Sequence, residues 1–240
     1  MKSIPCLFFT VLLAFGLALS AHAGPIGKGG FVITKPGKYF LLRNIVVAAP
    51  RGGGDPIGIV IKSSDVELDL AGYSIRPAAG QQGQGFAILI DEGTANLRLH
   101  NGRLSDFQFG IFATSGNAAA VTGSVFEDLQ ITGCTQAGIS LGAAACTVRH
   151  CTISGSGTLG IQFLTFTGSF NEVTDSTVLG LGMTTGIHAT GLDGLVVRHC
   201  TVTGCTTGIG ASSGCKLFNN VTLGCATAIT GNPLLIGTND

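Results

Sequence analysis

The pentapeptide VRHCT occurs twice in this chain, as Val148–Thr152 and again as Val197–Thr201. A histidine beside a cysteine suggests metal binding or a nucleophile, whereas a repeated segment suggests repeated structure. Alignment of the two copies on their histidines reveals five related segments. The seven reference residues are Gly72, Asn101, Asp128, His150, Asp175, His199 and Asn220. By subtraction they lie 21 to 29 residues apart, so the chain is predicted to repeat one structural unit.

The reference position is predicted to be a tight corner. All seven residues there are Gly, Asn, Asp or His, the types that best tolerate a left-handed backbone. The residue two positions earlier is always apolar: Leu70, Leu99, Phe126, Val148, Val173, Val197 and Phe218. The residue three positions after the reference is also apolar, as in Ile153, and the residue directly before that one is polar, as in Thr152. We therefore expect a short strand on each side of the corner.

A second landmark recurs between the corners and begins a third strand. It is a small residue followed by an apolar one: Gly58-Ile59, Gly85-Phe86, Gly110-Ile111, Gly138-Ile139, Gly160-Ile161, Gly186-Ile187, Gly208-Ile209 and Ala228-Ile229. Short alternating strands at a fixed repeat, without helical periodicity, predict an all-β solenoid of parallel strands. The repeats indicate about seven coils, stacked about 4.8 Å apart.

Three segments carry a family resemblance: ITKPGKYFLLRNI (33–45), VELDLAGYSI (66–75) and LRLHNGRLSDFQFGI (97–111). They resemble the opening coils of right-handed parallel β-helix proteins of the pectin-lyase-like superfamily. That superfamily includes exported β-helix repeat proteins and periplasmic copper-reductase maturation proteins. The resemblance covers roughly residues 31–230 and implies a right-handed helix. It specifies no activity, because the same scaffold carries unrelated functions.

The N-terminal residues 1–23 are predicted to be a signal peptide. Lys2 precedes an apolar run at 6–19, and Ala21-His22-Ala23 is a small-x-small cleavage pattern. The alternative is a retained anchor, but the run is short for a membrane span. We expect export, to the periplasm or outside the cell, with no membrane span after cleavage. Residues 24–57 are predicted to be N-terminal strands that cap the helix, and residues 58–240 the helix itself.

Composition excludes several classes of partner and site. Lys plus Arg equals Asp plus Glu at 13 each, so no electrostatic attraction to nucleic acid or an anionic membrane is expected. The chain has no Trp and two Tyr, which leaves few of the usual sugar-stacking residues. Removal of residues 1–23 leaves seven cysteines and no CxxC pair, which argues against zinc-ribbon and thioredoxin-like sites.

The histidines and cysteines of VRHCT are interpreted as structural. The corner column Asp128, His150, Asp175, His199 alternates two ordinary types of metal ligand. A single file of side chains does not converge on one point, however, so we predict no metal and no cofactor. Cys151 and Cys200 have the strand parity of core residues, which favours small buried side chains over activated nucleophiles.

The outward column of the Gly-Ile strands is the first candidate site. Its predicted members are Val60, Ala87, Phe112, Ser140, Gln162, His188 and Gly210. It has no carboxylate, Lys or Arg, whereas glycoside hydrolysis ordinarily needs two carboxylates and a lyase needs a base and an enolate stabiliser. The polar strip Ser140, Gln162 and His188 is suited to binding sugar hydroxyls; the alternative is a solvated sheet surface.

A second outward column precedes the corner. Its predicted members are His100, Glu127, Arg149, Thr174, Arg198 and Asn219. Glu127, Arg149 and Arg198 offer acid–base chemistry, although charge pairing between neighbouring coils explains the same residues. We therefore predict an exported, non-catalytic β-helix protein with a binding or scaffolding role, whose partner is a polysaccharide or cell-surface glycan. The alternative is a polysaccharide lyase or glycoside hydrolase.

Overall fold

A computed structural model describes residues 22–113, 121–155, 157–164, 170–189 and 194–240. All of the secondary structure in these ranges is short β-strand. In chain order the strands are β1 (His22–Ile26), β2 (Phe31–Ile33), β3 (Gly37–Leu41), β4 (Ile45–Val47), β5 (Ile57–Ile61), β6 (Val66–Asp69), β7 (Ser74–Pro77), β8 (Phe86–Ile90), β9 (Thr94–Ala95), β10 (Arg98–Ser105), β11 (Phe109–Ala113), β12 (Val121–Thr122), β13 (Val125–Thr132), β14 (Ala137–Ala144), β15 (Thr147–Arg149), β16 (Thr152–Ser154), β17 (Leu159–Leu164), β18 (Glu172–Thr174), β19 (Thr177–Leu179), β20 (Thr185–Ala189), β21 (Val196–Arg198), β22 (Thr201–Thr203), β23 (Thr207–Ala211), β24 (Lys216–Phe218), β25 (Val221–Leu223), β26 (Thr227–Gly231) and β27 (Leu234–Ile236).

The strands wind into a right-handed parallel β-helix, as predicted. The Gly-Ile sheet stacks β2, β5, β8, β11, β14, β17, β20, β23 and β26, nine strands joined by eight turns. The pre-corner sheet stacks β1, β3, β6, the first half of β10 and of β13, then β15, β18, β21, β24 and β27. The post-corner sheet stacks β4, β7, the second half of β10 and of β13, then β16, β19, β22 and β25.

The helix therefore has about eight turns, slightly more than the seven predicted. The difference lies at the N-terminal end, where β1 pairs in parallel with β3 and β2 with β5, in the same stacking as the later coils. The role of residues 24–57 as a cap stays a prediction. Most of the proposed signal peptide, residues 1–21, lies outside the described residues.

The left-handed corner is confirmed at six of the seven predicted positions. The φ angle is +76° at Gly72 and between +49° and +61° at Asn101, Asp128, His150, Asp175 and His199. The seventh prediction is wrong by one residue, because the left-handed residue is Asn219, with φ +49°, and not Asn220. β24 pairs with β21 so that Leu217 opposes Val197, which places Asn219 beside His199.

The corner at Gly72 is also longer than predicted. Leu68, not Leu70, opposes Leu99 on the next coil, while Ile75 opposes Leu104 as expected. Two additional residues therefore fit into this corner, and Ala71, with φ +51°, is left-handed as well. Leu70 is nevertheless fully buried. It is apolar because it packs in the core, although it is not in register with Leu99.

The repeated VRHCT segments are parts of a structural ladder inside the corner. The Cys151 backbone N–H donates to Ser176 Oγ at 3.2 Å, and the Cys200 N–H donates to Asn220 Oδ1 at 3.0 Å. The Cys151 thiol donates to the carbonyl oxygens of Phe126 and Arg149. Burial raises the pKa of both Cys151 and Cys200 to about 12, so these thiols are protonated at neutral pH.

Candidate functional site

The outward face of the Gly-Ile sheet carries the polar strip. Ser140, Gln162 and His188 occupy one position on three consecutive coils, as predicted. One other member of the predicted column is wrong: Leu89, not Ala87, opposes Val60 and Phe112. The Gly-Ile landmark on that coil is Ala87-Ile88, two residues later than Gly85-Phe86, and Ala87 is buried.

The polar strip is partly buried and uncharged. Ser140 is 1% exposed, and its hydroxyl donates to Gln162 Oε1 at 3.2 Å. Gln162 and His188 are half-buried. Burial lowers the pKa of His188, so its imidazole is neutral at pH 7 and carries both a donor and an acceptor nitrogen. The strip therefore offers amide and imidazole groups without net charge, and the buried Ser140 hydroxyl holds the amide in place.

Three phenylalanines lie beside this strip; sequence reasoning placed Phe112 in the outward column but missed its cluster with Phe86 and Phe109. The ring centroids of Phe86 and Phe109 are 5.6 Å apart, those of Phe86 and Phe112 5.2 Å, and those of Phe109 and Phe112 4.7 Å. All three are half-buried on the outward face. A concavity of about 230 Å³ joins Phe109 and Phe112 to Ser140 and Gln162. The available signal in the sequence was three Phe residues at or near two successive Gly-Ile landmarks, Phe86 on one coil and Phe109 and Phe112 on the next.

The pre-corner sheet carries an ion-pair network around Glu127. Arg98 Nε donates to Glu127 Oε1 and Arg149 Nε to Glu127 Oε2, each at 2.6 Å. The Glu127 side chain is only 4% exposed. Arg98 also reaches Glu67 at 3.2 Å, and Lys38 lies 2.8 Å from Glu67. The network therefore connects successive coils, as expected for cross-strand charge pairing.

The electrostatics of this network disfavour proton donation. Burial raises the pKa of Glu127, but hydrogen bonds from Arg98 and Arg149 outweigh it and hold that pKa below its usual value. Hydrogen bonding to Lys38 likewise lowers the pKa of Glu67. A general acid needs a raised pKa near neutral pH, so neither carboxylate is suited to that role.

The structure joins only two of the three residues predicted for the alternative face. Glu127 and Arg149 are paired, but Arg198 lies two coils further along and pairs with Glu172 at 2.7 Å. The predicted last member of this column is also wrong, because Phe218 and not Asn219 opposes Arg198. This is the same one-residue shift that moved the last left-handed corner.

The histidines and carboxylates of the corner column form pairs and no larger metal-binding cluster within the described ranges. No group of three or more His, Cys, Asp or Glu side chains there is arranged to hold a metal ion. The alternating corner column gives only pairs, such as His150 Nδ1 at 3.8 Å from Asp128 Oδ1 and His199 Nδ1 at 3.6 Å from Asp175 Oδ1. In the same ranges, no helix has the length and hydropathy needed to cross a membrane.

Parallel coils, left-handed corners and a flat outward sheet define a protein of the right-handed parallel β-helix class. A family model described as "Right handed beta helix region" matches residues 58–226 of this chain. The chain belongs to that family, and the resemblance to pectin-lyase-like proteins is confirmed at the level of fold.

A solved structure supports the same fold. The alginate lyase from Paenibacillus sp. str. FPU-7 aligns with 85% of this chain and 79% of its own, with a TM-score of 0.56 and 11% sequence identity. At that identity the likeness shows the fold alone. No curated protein sequence matches the chain significantly.

Proposed function

We propose that this protein binds carbohydrate without chemical turnover, on the outward face of the Gly-Ile sheet. The observation that carries the proposal is that an aromatic cluster, Phe86, Phe109 and Phe112, lies beside the polar strip Ser140, Gln162 and His188, with Phe112 opposite Ser140 on the next coil. Sugar rings present C–H faces that pack on aromatic rings and hydroxyls that need fixed donors and acceptors. A rigid stack of strands supplies both at regular spacing.

The composition of this face supports binding over catalysis. Among the described residues, the two outward columns of the Gly-Ile sheet contain no Asp, Glu, Lys or Arg. Glycoside hydrolysis ordinarily uses two carboxylates, and a lyase uses a base with a group that stabilises the enolate. The enzyme alternative would have to use the pre-corner network, where the pKa of Glu127 is lowered.

We also propose that the protein acts after export, in the periplasm or outside the cell. The charged start, apolar run and small-x-small pattern of residues 1–23 support this. Export would bring the Gly-Ile face to polysaccharides of the cell envelope or the surroundings. Immunoblotting of cytoplasmic, periplasmic and medium fractions tests the compartment.

The decisive experiment combines binding and turnover on one preparation. A glycan array identifies ligands, and reducing-end and unsaturated-uronate assays on the same glycans detect hydrolysis or elimination. We expect affinity without turnover. In the double variant Gln162→Ala with His188→Ala, the binding free energy should become less favourable by about 1–3 kcal/mol, because ligand hydroxyls lose their hydrogen-bond partners.

A matched control uses the post-corner sheet. Thr152→Ala with Thr177→Ala removes two outward polar side chains from consecutive coils of that sheet and should leave affinity unchanged. Circular dichroism should show both double variants folded. Unchanged affinity in the Gln162/His188 variant would place the ligand elsewhere, and turnover on any glycan would favour the enzyme alternative.

A further inference from the structure

The outward face of the Gly-Ile sheet is divided into an apolar part and a polar part. The first of its two columns, from the N-terminal coils onward, is Ile57, Phe86, Phe109, Ala137, Leu159, Thr185, Thr207 and Thr227. The second column is Val32, Val60, Leu89, Phe112, Ser140, Gln162, His188, Gly210 and Thr230. Each column changes once from apolar to polar or small residues, and no polar side chain interrupts the apolar part.

The apolar part forms a continuous strip accessible from outside. Val32 is 44% exposed, and Ile57, Val60 and Leu89 are half-buried. A concavity of about 550 Å³ at the N-terminal end is lined by Ile57 and Val60 and, on its other side, by Lys28, Val46 and Asp55. The 230 Å³ concavity at Phe112 marks the start of the polar strip. Aliphatic side chains offer no hydrogen bonds, so a glycan alone does not account for this half.

The polar part differs in chemistry but is equally uncharged. It offers the hydroxyl of Thr207, the amide of Gln162 and the imidazole of His188, a set suited to neutral hydroxyl groups, while the buried Ser140 hydroxyl orients the Gln162 amide. Burial lowers the pKa of His188, which keeps it neutral at pH 7. A ligand with an anionic headgroup would find no cationic side chain in either column.

We propose that this face binds an amphiphile, with a single hydrocarbon chain on the apolar part and an uncharged sugar headgroup on the polar strip. The inference rests on the proposed carbohydrate-binding function and specifies its ligand class. The three coil steps from Val32 to Phe112 span about 14 Å at the spacing of neighbouring strands. One acyl chain spans about 15 Å, half the thickness of a bilayer hydrocarbon core. The length of the strip therefore suits one chain.

The test measures calorimetric binding of three probes to the purified protein. They are n-dodecyl-β-maltoside below its critical micelle concentration, free maltose, and a dodecyl oligoethylene glycol ether. The maltoside carries both the sugar and the alkyl chain, maltose carries only the sugar, and the ether carries only the alkyl chain. We expect the maltoside to bind at least about 100-fold more tightly than maltose, and also more tightly than the ether.

Two variants and a control test where the alkyl chain and the sugar headgroup bind on the sheet. Leu89→Gln should weaken maltoside binding about tenfold or more by placing an amide on the alkyl path. Gln162→Ala should weaken maltoside binding but leave the ether unchanged. Leu179→Gln changes a side chain 39% exposed on the post-corner sheet and should have no effect. This control distinguishes a site from general hydrophobicity.

The outcomes separate the two proposals. Equal affinity for maltose and the maltoside, or for the ether and the maltoside, overturns the proposal of an amphiphilic ligand. Failure of all three probes, with a neutral glycan bound on the array, also overturns it but leaves carbohydrate binding in place. Failure of all three probes with no glycan bound on the array overturns both.

Discussion

The corner residue His150 shows how a reactive side chain type can have a backbone role. Its φ is +51°, and its imidazole is about half exposed, 3.8 Å from Asp128. Asn101, Asp128 and Asp175 adopt the same conformation at the same position, so the requirement is for tolerance of the left-handed region. The adjacent cysteine then turns inward, and its thiol donates to backbone carbonyl oxygens.

Substitution of His150 tests this role. His150→Asn should leave the free energy of unfolding nearly unchanged, because Asn tolerates positive φ. His150→Val should lower it by about 1–2 kcal/mol, because a β-branched residue resists that conformation. Urea denaturation followed by circular dichroism gives both values. Equal stability of the two variants would contradict the backbone explanation.

Residue-level prediction was accurate wherever each coil had one residue of the required type. It fails at the last corner, where Asn219 and Asn220 both suit a left-handed conformation and only strand pairing selects Asn219. Leu68 and Leu70 are both buried in the core, and two additional corner residues decide which aligns with Leu99. Such insertions change the register without changing the hydrophobic pattern.

At the scale of the strand, the Gly-Ile landmark reflects close packing inside the coil. At Gly138 an added Cβ would lie 2.6 Å from Ile153 Cγ2 and 2.9 Å from the Gly160 carbonyl oxygen. The following residue, Ile139, is fully buried. Two consecutive positions thus face inward, and the first has space only for hydrogen. This explains why the outward residues of β14 are Ala137 and Ser140, three positions apart.

The variant Gly138→Ala should therefore destabilise the helix. The added methyl forces Ile153 or the neighbouring coil to move, at a cost of about 1–3 kcal/mol. The matched control is Gly27→Ala, where the backbone is not left-handed and the nearest atom to an added Cβ is Arg43 Nε at 4.0 Å, so little change in stability is expected. Thermal unfolding measures both. A Gly138→Ala protein as stable as the parent would mean that the coils are spaced more widely here than the structure shows.

The whole molecule is a linear stack in which each coil contacts mainly its neighbours, so opening should begin at the ends. The seven cysteines of the described ranges form no disulfide and report on different coils. Burial raises the pKa of Cys134 to about 12 and that of Cys146 to about 11, whereas Cys225 is half-buried on the last described coil. Buried, protonated thiols react slowly with alkylating reagents.

Labelling with iodoacetamide at pH 8 should therefore be ordered along the chain. We expect Cys225 to react first, Cys205 and Cys215 next as sub-denaturing urea is added, and Cys134 last. Peptide mass spectrometry of timed samples gives the order. Simultaneous labelling of all seven would indicate a single cooperative unit.

Sequence reasoning reached the fold and the polar strip but not the whole face. Periodicity places Gln162 and His188 in one column because each coil repeats the same backbone path. It does not reveal that Phe86 and Phe112, from different columns and coils, meet across the surface at 5.2 Å. Nor does it show that Glu127 is buried between two arginines, because that depends on side-chain conformation and on the coils above and below.

Because the coils are evenly spaced, distances along the outward face of the Gly-Ile sheet increase by the same amount with each coil. A whole coil inserted between β11 and β14 would move the polar strip away from the apolar end by about 4.8 Å, while leaving the corner and core of every other coil in the same environment. Ligand length would then be set by the number of coils, and headgroup chemistry by which residues occupy two outward positions per coil. A chain of this kind can change the size of what it holds by duplication alone, without redesigning any single contact.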